Sequence, residues 1–317
     1  MSRIAIVGCG LVGSGWAIVF ARAGNEVALY DSKAGATTAA LSVIAARLAD
    51  LQAAGLIDDV PAIQGRISAA SSMAEALQSA VYVQESVLED VTVKSRVMSE
   101  IDAVIGPDTW VGSSSSGIAA SHYTEHVACR SRCLVAHPVN PPYLAPIVEL
   151  VPAPWTAPET MKGVRALMTE VGQSPVELQR EAEGFILNRL QGVLLMEAWR
   201  MIEDGVASVE DIDKTVSEGL GLRWAFMGPF ETIDLNAPGG VADYAARFGP
   251  LYQRIAASTS EHRVWGSDLI AEVEAQRREI LPAADLAQRS AWRDGRLMAL
   301  ARHKREMEAN GRAATKA

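Results

Sequence analysis

Over roughly the first 180 residues, apolar positions fall in short unbroken runs, and helix-period segments separate them. Ile4 to Val7, Val27 to Tyr30, "AVYVQESVLED" (80 to 90), which ends in acids, "TWVGSSSSG" (109 to 117), which ends in hydroxyls, Cys133 to Ala136 and Ile147 to Leu150 are read as buried strands. Between them, Ala34 to Ala54 is helical and stops at Gly55, while "GRISAASSMAEAL" (65 to 77) predicts a short strand and then a helix capped by Ser71 or Ser72. Strands alternating with helices predict a largely parallel sheet. From Glu183 onward the pattern changes. Ile186, Leu190, Val193, Leu194 and Ile202 recur at helical spacing with Arg189, Glu197, Arg200 and Glu203 interleaved, "DG" at 204 and 205 ends that helix, and Ser208 with Asp211 resembles a capping box. The expected division is therefore an α/β domain over residues 1–183 and an all-α domain over 184–317.

The first strand needs care, because Ile4 to Ala21 carries no charge and approaches the length of a membrane span or a signal sequence. Gly8, Gly10, Gly13, Gly15 and Gly24 argue against both. The first three spell G-x-G-x-x-G between an apolar run and a helix-period segment (Trp16, Val19, Phe20), and the next run ends in Asp31, 18 residues after Gly13. One glycine makes a tight turn, one lets the backbone approach a pyrophosphate, and one permits close helix packing. The helix-start N–H groups then receive phosphate. This is the layout of a Rossmann-type dinucleotide-binding domain. Asp31 is suited to the adenosine ribose hydroxyls and repels a 2′-phosphate, which selects NAD over NADP, a preference that Lys33 slightly weakens.

Composition narrows the class further. A chain of 317 residues, 49% apolar, exceeds what one core usually serves, so two domains are expected. A net charge of -9 opposes a nucleic-acid role, and the basic stretch Arg302 to Arg305 reads as a solvated helix face. Cys9, Cys129 and Cys133 form no C-x-x-C pair, so neither zinc nor a disulfide framework is indicated, no metal is expected, and a reducing cytoplasm fits.

Ligands of open α/β sheets bind beyond the carboxyl ends of the strands. Glu85, Glu89, the serines of 113 to 116 and His137 all close predicted strands on that edge. Glu149 lies twelve residues after His137. If Cys133 to Ala136 and Ile147 to Leu150 are neighbours, the intervening loop turns the chain back and brings carboxylate to ring, which would fix the tautomer of a general base. Pro138, Pro141, Pro142 and Pro146 stiffen that loop.

H-P-V-N-P-P with its glutamate, the upstream S-S-S-S-G, and "EGFILNRLQGVLLMEAWRMIEDG" (183 to 205) together resemble the L-3-hydroxyacyl-CoA dehydrogenase superfamily. H-P-V-N-P-P-Y and "EGLGLRWAFMGPFETIDLNAPGG" (218 to 240) are most similar to its lambda-crystallin and L-gulonate 3-dehydrogenase branch. The resemblance covers nearly the whole chain and implies roles by position. His137 matches the catalytic histidine and Glu149 its partner. Ser116 matches the active-site serine, with Ser115 next, and Asn188 the asparagine on the substrate side. Asn140, Glu89 and Lys94 match cofactor contacts. The implied reaction is NAD-dependent oxidation of the 3-hydroxyl of a small hydroxy acid, L-gulonate first, with L-carnitine or a short 3-hydroxyacyl-CoA as alternatives. H-P-V-N-P stands where the acyl-CoA enzymes carry H-F-F-N-P, which counts against a CoA ester. A noncatalytic crystallin-like or NAD-sensing protein is the reading from another class. Arg223, between glycines and aromatics, is a candidate for a substrate carboxylate, against a surface salt bridge. A homodimer through the helical half is expected, with neither nucleic acid nor membrane as partner.

Overall fold

The computed structural model describes residues 2–261 and 263–314. Eight strands form one sheet: β1 (Arg3–Val7), β2 (Glu26–Tyr30), β3 (Ile67–Ala69), β4 (Tyr82–Glu85), β5 (Trp110–Ser113), β6 (Cys133–Pro138), β7 (Ile147–Pro152) and β8 (Ser174–Glu177), in the order β3-β2-β1-β4-β5-β6-β7-β8. All neighbours are parallel except β6 and β7, which are antiparallel. Seven helices accompany the strands: α1 (Leu11–Arg22), α2 (Ala36–Ala53), α3 (Val60–Gly65), α4 (Met73–Leu77), α5 (Val91–Asp102), α6 (Ser121–Thr124) and α7 (Pro158–Glu170). Strand order reverses between β1 and β4, and in open α/β sheets ligands bind beyond the carboxyl ends of the strands at such a switch point.

The uncharged stretch from Ile4 resolves into β1, a glycine turn and α1, whose buried residues Trp16 to Ala21 pack in the core with Ile4, Ile6 and Leu29. No described helix is long and apolar enough to cross a membrane. The expected caps form: Ser72 accepts the Glu75 N–H at the start of α4, and Gly55, after α2, has φ of 71°.

The second run of helices comprises α8 (Leu187–Glu203), α9 (Val209–Lys214), α10 (Gly221–Trp224), α11 (Pro229–Leu235), α12 (Gly240–Ser258), α13 (Ser267–Ile280) and α14 (Leu286–Ala314), with a π-helical turn over Thr215–Leu220. Ser208 caps α9 by accepting the Asp211 N–H. Contacts divide the chain into two compact units. Residues up to Arg189, together with those from Ala291 onward, form one, and Leu190–Ser290 the other. The second has a small core of Ile202, Val209 and Leu269, joined by Trp199, Ile212 and Val273. In the first, Leu297, Met298 and Ala301 of α14 pack on the sheet core and Arg305 donates to the Leu56 carbonyl at 2.8 Å.

Candidate active site

The turn from β1 into α1 is shaped by close approach. Gly8 has φ of 99°, and a Cβ there would lie 2.5 Å from the Ser86 carbonyl oxygen. A Cβ on Gly13 would lie 1.9 Å from the Gly8 carbonyl oxygen, so this position must be glycine for helix and turn to pack. Gly10 is different. Nothing lies within 4 Å of its Cβ position, and as N-cap of α1 it leaves the first-turn N–H groups without a side-chain cap or an acidic neighbour. That open, donor-rich cradle fits a dinucleotide diphosphate. Asp31, directly after β2, accepts the Cys9 and Lys33 amides, each at 2.8 Å, one on each carboxylate oxygen. Burial and the nearby Asp31 push the Cys9 thiol up to about 12, so it stays protonated in this loop.

On the far side of the switch point, β6 and β7 bring His137 opposite Glu149 in register. His137 Nδ1 lies 2.7 Å from Glu149 Oε2, and both side chains are buried, 7% and 2% exposed. Glu149 Oε1 accepts the Ile186 and Leu187 amides at 2.8 and 2.9 Å. Burial acts to raise the Glu149 carboxyl, but the His137 bond and the two amides outweigh it and hold the group below the usual carboxylate range. A carboxylate beside Nδ1 favours the tautomer that carries its proton there and leaves Nε2 as the acceptor.

The serine loop after β5 is held from beneath. Glu89 Oε1 accepts the Ser116 and Gly117 amides at 2.8 and 3.0 Å and lies 2.7 Å from the Ser115 hydroxyl. Burial alone would raise the Glu89 carboxyl; the Ser115 hydroxyl, the Gly117 amide, Lys94 and the Ser116 amide together hold it low. Lys94 is completely buried, 3.1 Å from both Glu85 oxygens and 3.4 Å from Glu89 Oε2. Ser113 donates to Glu85 Oε2, and Glu85, which closes β4 at the expected edge, is fully buried there. Ser115 is likewise buried and committed, whereas Ser116 is exposed. Asn188 Nδ2 donates to the Ser116 carbonyl at 2.5 Å.

The structure thus joins Lys94, Glu89, Ser116 and Asn188 in one chain of contacts, and His137, Glu149 and the residues just before Asn188 in another. Asn140 is exposed in the proline loop, with no side-chain hydrogen bond among the described residues. Arg223 belongs to the second unit, on α10, and is exposed. No salt bridge to it occurs among the described residues. Sequence reading missed Phe185. Its φ of 53° is left-handed, uncommon for a bulky residue, its ring lies 5.8 Å from that of His137, and this turn delivers the next two amides to Glu149. Gly184 before it, φ 73°, was the only local signal.

A glycine cradle at the switch point, an acid after β2 and a buried histidine–carboxylate pair on the same edge define an NAD-dependent oxidoreductase acting on a CH–OH group. Family comparison agrees. Residues 3–182 match the 3-hydroxyacyl-CoA dehydrogenase NAD binding domain and residues 184–267 the C-terminal domain of the same enzymes. The chain belongs to the 3-hydroxyacyl-CoA dehydrogenase family. It is 41% identical over 309 residues to the lambda-crystallin homolog of Bos taurus, covering 96% of each chain. It is 38% identical over 249 residues to L-carnitine dehydrogenase of Streptomyces griseus, covering 78% of this chain and 74% of that one. Among solved structures, 5-formyl-3-hydroxy-2-methylpyridine 4-carboxylic acid 5-dehydrogenase, an NAD+-dependent dismutase, superposes with a TM-score of 0.82 at 28% identity, over 97% of this chain and 99% of that one. Among the described residues, no group of His, Cys, Asp or Glu could hold a metal ion.

Proposed function

We propose that this enzyme oxidises the 3-hydroxyl of a free hydroxy acid, L-gulonate to 3-dehydro-L-gulonate, with His137 and Glu149 as the general-base pair. The observation that carries the reading is the 2.7 Å contact between His137 Nδ1 and Glu149 Oε2. His137 takes the hydroxyl proton on Nε2, and Glu149 stabilises the imidazolium that results. The cofactor held there would supply the hydride acceptor for the carbinol carbon. Ser116 and Asn188 hold the substrate oxygen, and the burial of Ser115 favours Ser116 for that part. Gly8, Gly10, Gly13 and Asp31 receive the dinucleotide, with Asn140 at the nicotinamide end. Glu89 and Lys94 serve the cofactor side through the serine loop they support. Arg223, exposed on α10, is the candidate for the acid end of the substrate.

The helical segment from residue 184 is proposed to supply substrate contacts and a homodimer surface, and the three free thiols fit a reducing cytoplasm. The L-carnitine dehydrogenase relatives favour a second reading, a trimethylammonium hydroxy acid as substrate. The deciding experiment follows NADH formation with L-gulonate, L-carnitine, L-3-hydroxybutyrate and 3-hydroxybutyryl-CoA. Preference for L-gulonate, lost in His137→Ala, is expected. Preference for the CoA ester overturns the free-acid reading, and no turnover with any of the four favours a noncatalytic NAD-binding role.

A further inference from the structure

A buried hydrogen-bond network ends at Ser86, and its direction can be worked out by counting donors and acceptors. Tyr82 and Gln84 on β4 and Trp16 on α1 are fully buried. Gln84 Nε2 lies 2.8 Å from Ser114 Oγ and 3.4 Å from the Ala136 carbonyl oxygen, while Gln84 Oε1 lies 2.6 Å from the Tyr82 hydroxyl. A carbonyl can only accept, so the amide nitrogen faces Ala136 and Ser114, and Tyr82 donates to Oε1. Trp16 Nε1, which can only donate, lies 3.2 Å from the same Ser114 oxygen. Ser114 therefore accepts two bonds and has its single proton left to give. Its remaining partner is Ser86 Oγ at 2.8 Å.

Ser86 accordingly accepts from Ser114, and its own O–H has no acceptor among the described residues. Ser86 directly follows β4, its amide bonds the Val7 carbonyl, and its own carbonyl lies against Gly8. It is half-buried at the carboxyl ends of the neighbouring strands β1 and β4, where the strand order reverses. A hydroxyl that already accepts a bond is a stronger donor.

We propose that Ser86 is a positioning residue for the cofactor, donating its hydroxyl proton to an oxygen of the bound dinucleotide. The acceptor is a diphosphate or ribose oxygen, and the network from Tyr82, Gln84 and Trp16 sets the direction of the donation. This rests on the NAD-dependent reading of the site. The test titrates NADH, ADP-ribose and ADP against wild type, Ser86→Ala and Ser86→Thr by ligand fluorescence and calorimetry, with thermal melting alongside. Ser86→Ala is expected to raise the NADH Kd about three- to tenfold at unchanged Tm, and Ser86→Thr, which keeps the hydroxyl, to restore affinity. A matching loss for ADP places the acceptor oxygen in the adenosine diphosphate half; a loss confined to ADP-ribose and NADH assigns the distal ribose. Wild-type NADH affinity in Ser86→Ala overturns the proposal, as does equal weakening in both variants. Failure of the wild-type protein to bind NADH overturns the cofactor reading instead.

Discussion

Glu149 uses its two oxygens for different tasks. Oε2 orients His137, and Oε1 receives the amides of Ile186 and Leu187, just ahead of Asn188. A glutamine has one carbonyl oxygen for both tasks and places an amide donor against one of them. Glu149→Gln is expected to lower kcat roughly 10²- to 10⁴-fold, close to the loss in His137→Ala, and the double variant should be little worse than either. Steady-state kinetics of the three variants checks this, and strictly additive losses would mean that the pair does not act as a unit. Acid should weaken the fold through the same group. Because the folded-state pKa of Glu149 is depressed, its ionisation contributes stability above the unfolded carboxylate pKa, and that contribution is lost as pH falls through the folded value. Urea unfolding of wild type and Glu149→Gln should therefore differ at neutral pH and converge on acidification. A gap that widens in acid would contradict the assignment.

In α1, two glycines make different contacts, and the difference predicts different failures. A methyl on Gly13 strikes the backbone of Gly8 and deforms the cradle itself. A methyl on Gly15 would lie 2.7 Å from Pro142 Cδ, in the loop that carries Asn140. Gly13→Ala should weaken NADH binding at least about tenfold. Gly15→Ala should slow turnover more than it weakens NADH binding and destabilise by about 1–3 kcal/mol through overpacking. Comparing kcat, NADH Kd and urea unfolding separates the two. Gly13 was legible in the sequence because its partner is Gly8, a few residues away in the same motif. The role of Gly15 was not, because Pro142 reaches it only through the packing of α1 on a distant loop. The β6–β7 hairpin was legible for the first reason: a twelve-residue separation and four prolines constrain where Glu149 can go.

Across the whole chain, the segment least readable in advance is the last helix. Its polar composition marks a solvated face, yet Leu297, Met298 and Ala301 close over the sheet core of the first unit and Arg305 reaches the Leu56 carbonyl. Burial, with Arg305 close by, pushes the Arg22 guanidinium down to about 10. Ending the chain at Ser290 should cost the first unit about 2–4 kcal/mol, taking two partly buried large side chains at roughly 1.5–3 kcal/mol each with a discount for exposure. A thermal melt with an unchanged Tm would show that α14 is dispensable. The unit Leu190–Ser290 exposes Leu222, Phe226, Phe230 and Leu235 within a short span. Sedimentation velocity should find a dimer, and Phe230→Asp should shift it towards monomer. A wild-type monomer at micromolar concentration would remove that surface from the proposal.

Local patterns sufficed for the alternation of strands and helices, the glycine cradle with Asp31, the histidine and its carboxylate, and the family, because each depends on residues close in sequence or on spacing along one motif. Folding was needed to separate Ser115 from Ser116, to turn Glu85 and Lys94 into a buried support for the serine loop, to bring Asn188 onto the Ser116 carbonyl, and to return α14 to the first unit. Those outcomes depend on which faces become buried and which donors find acceptors across strands distant in the chain, and burial is a property of the packed molecule that no local pattern carries.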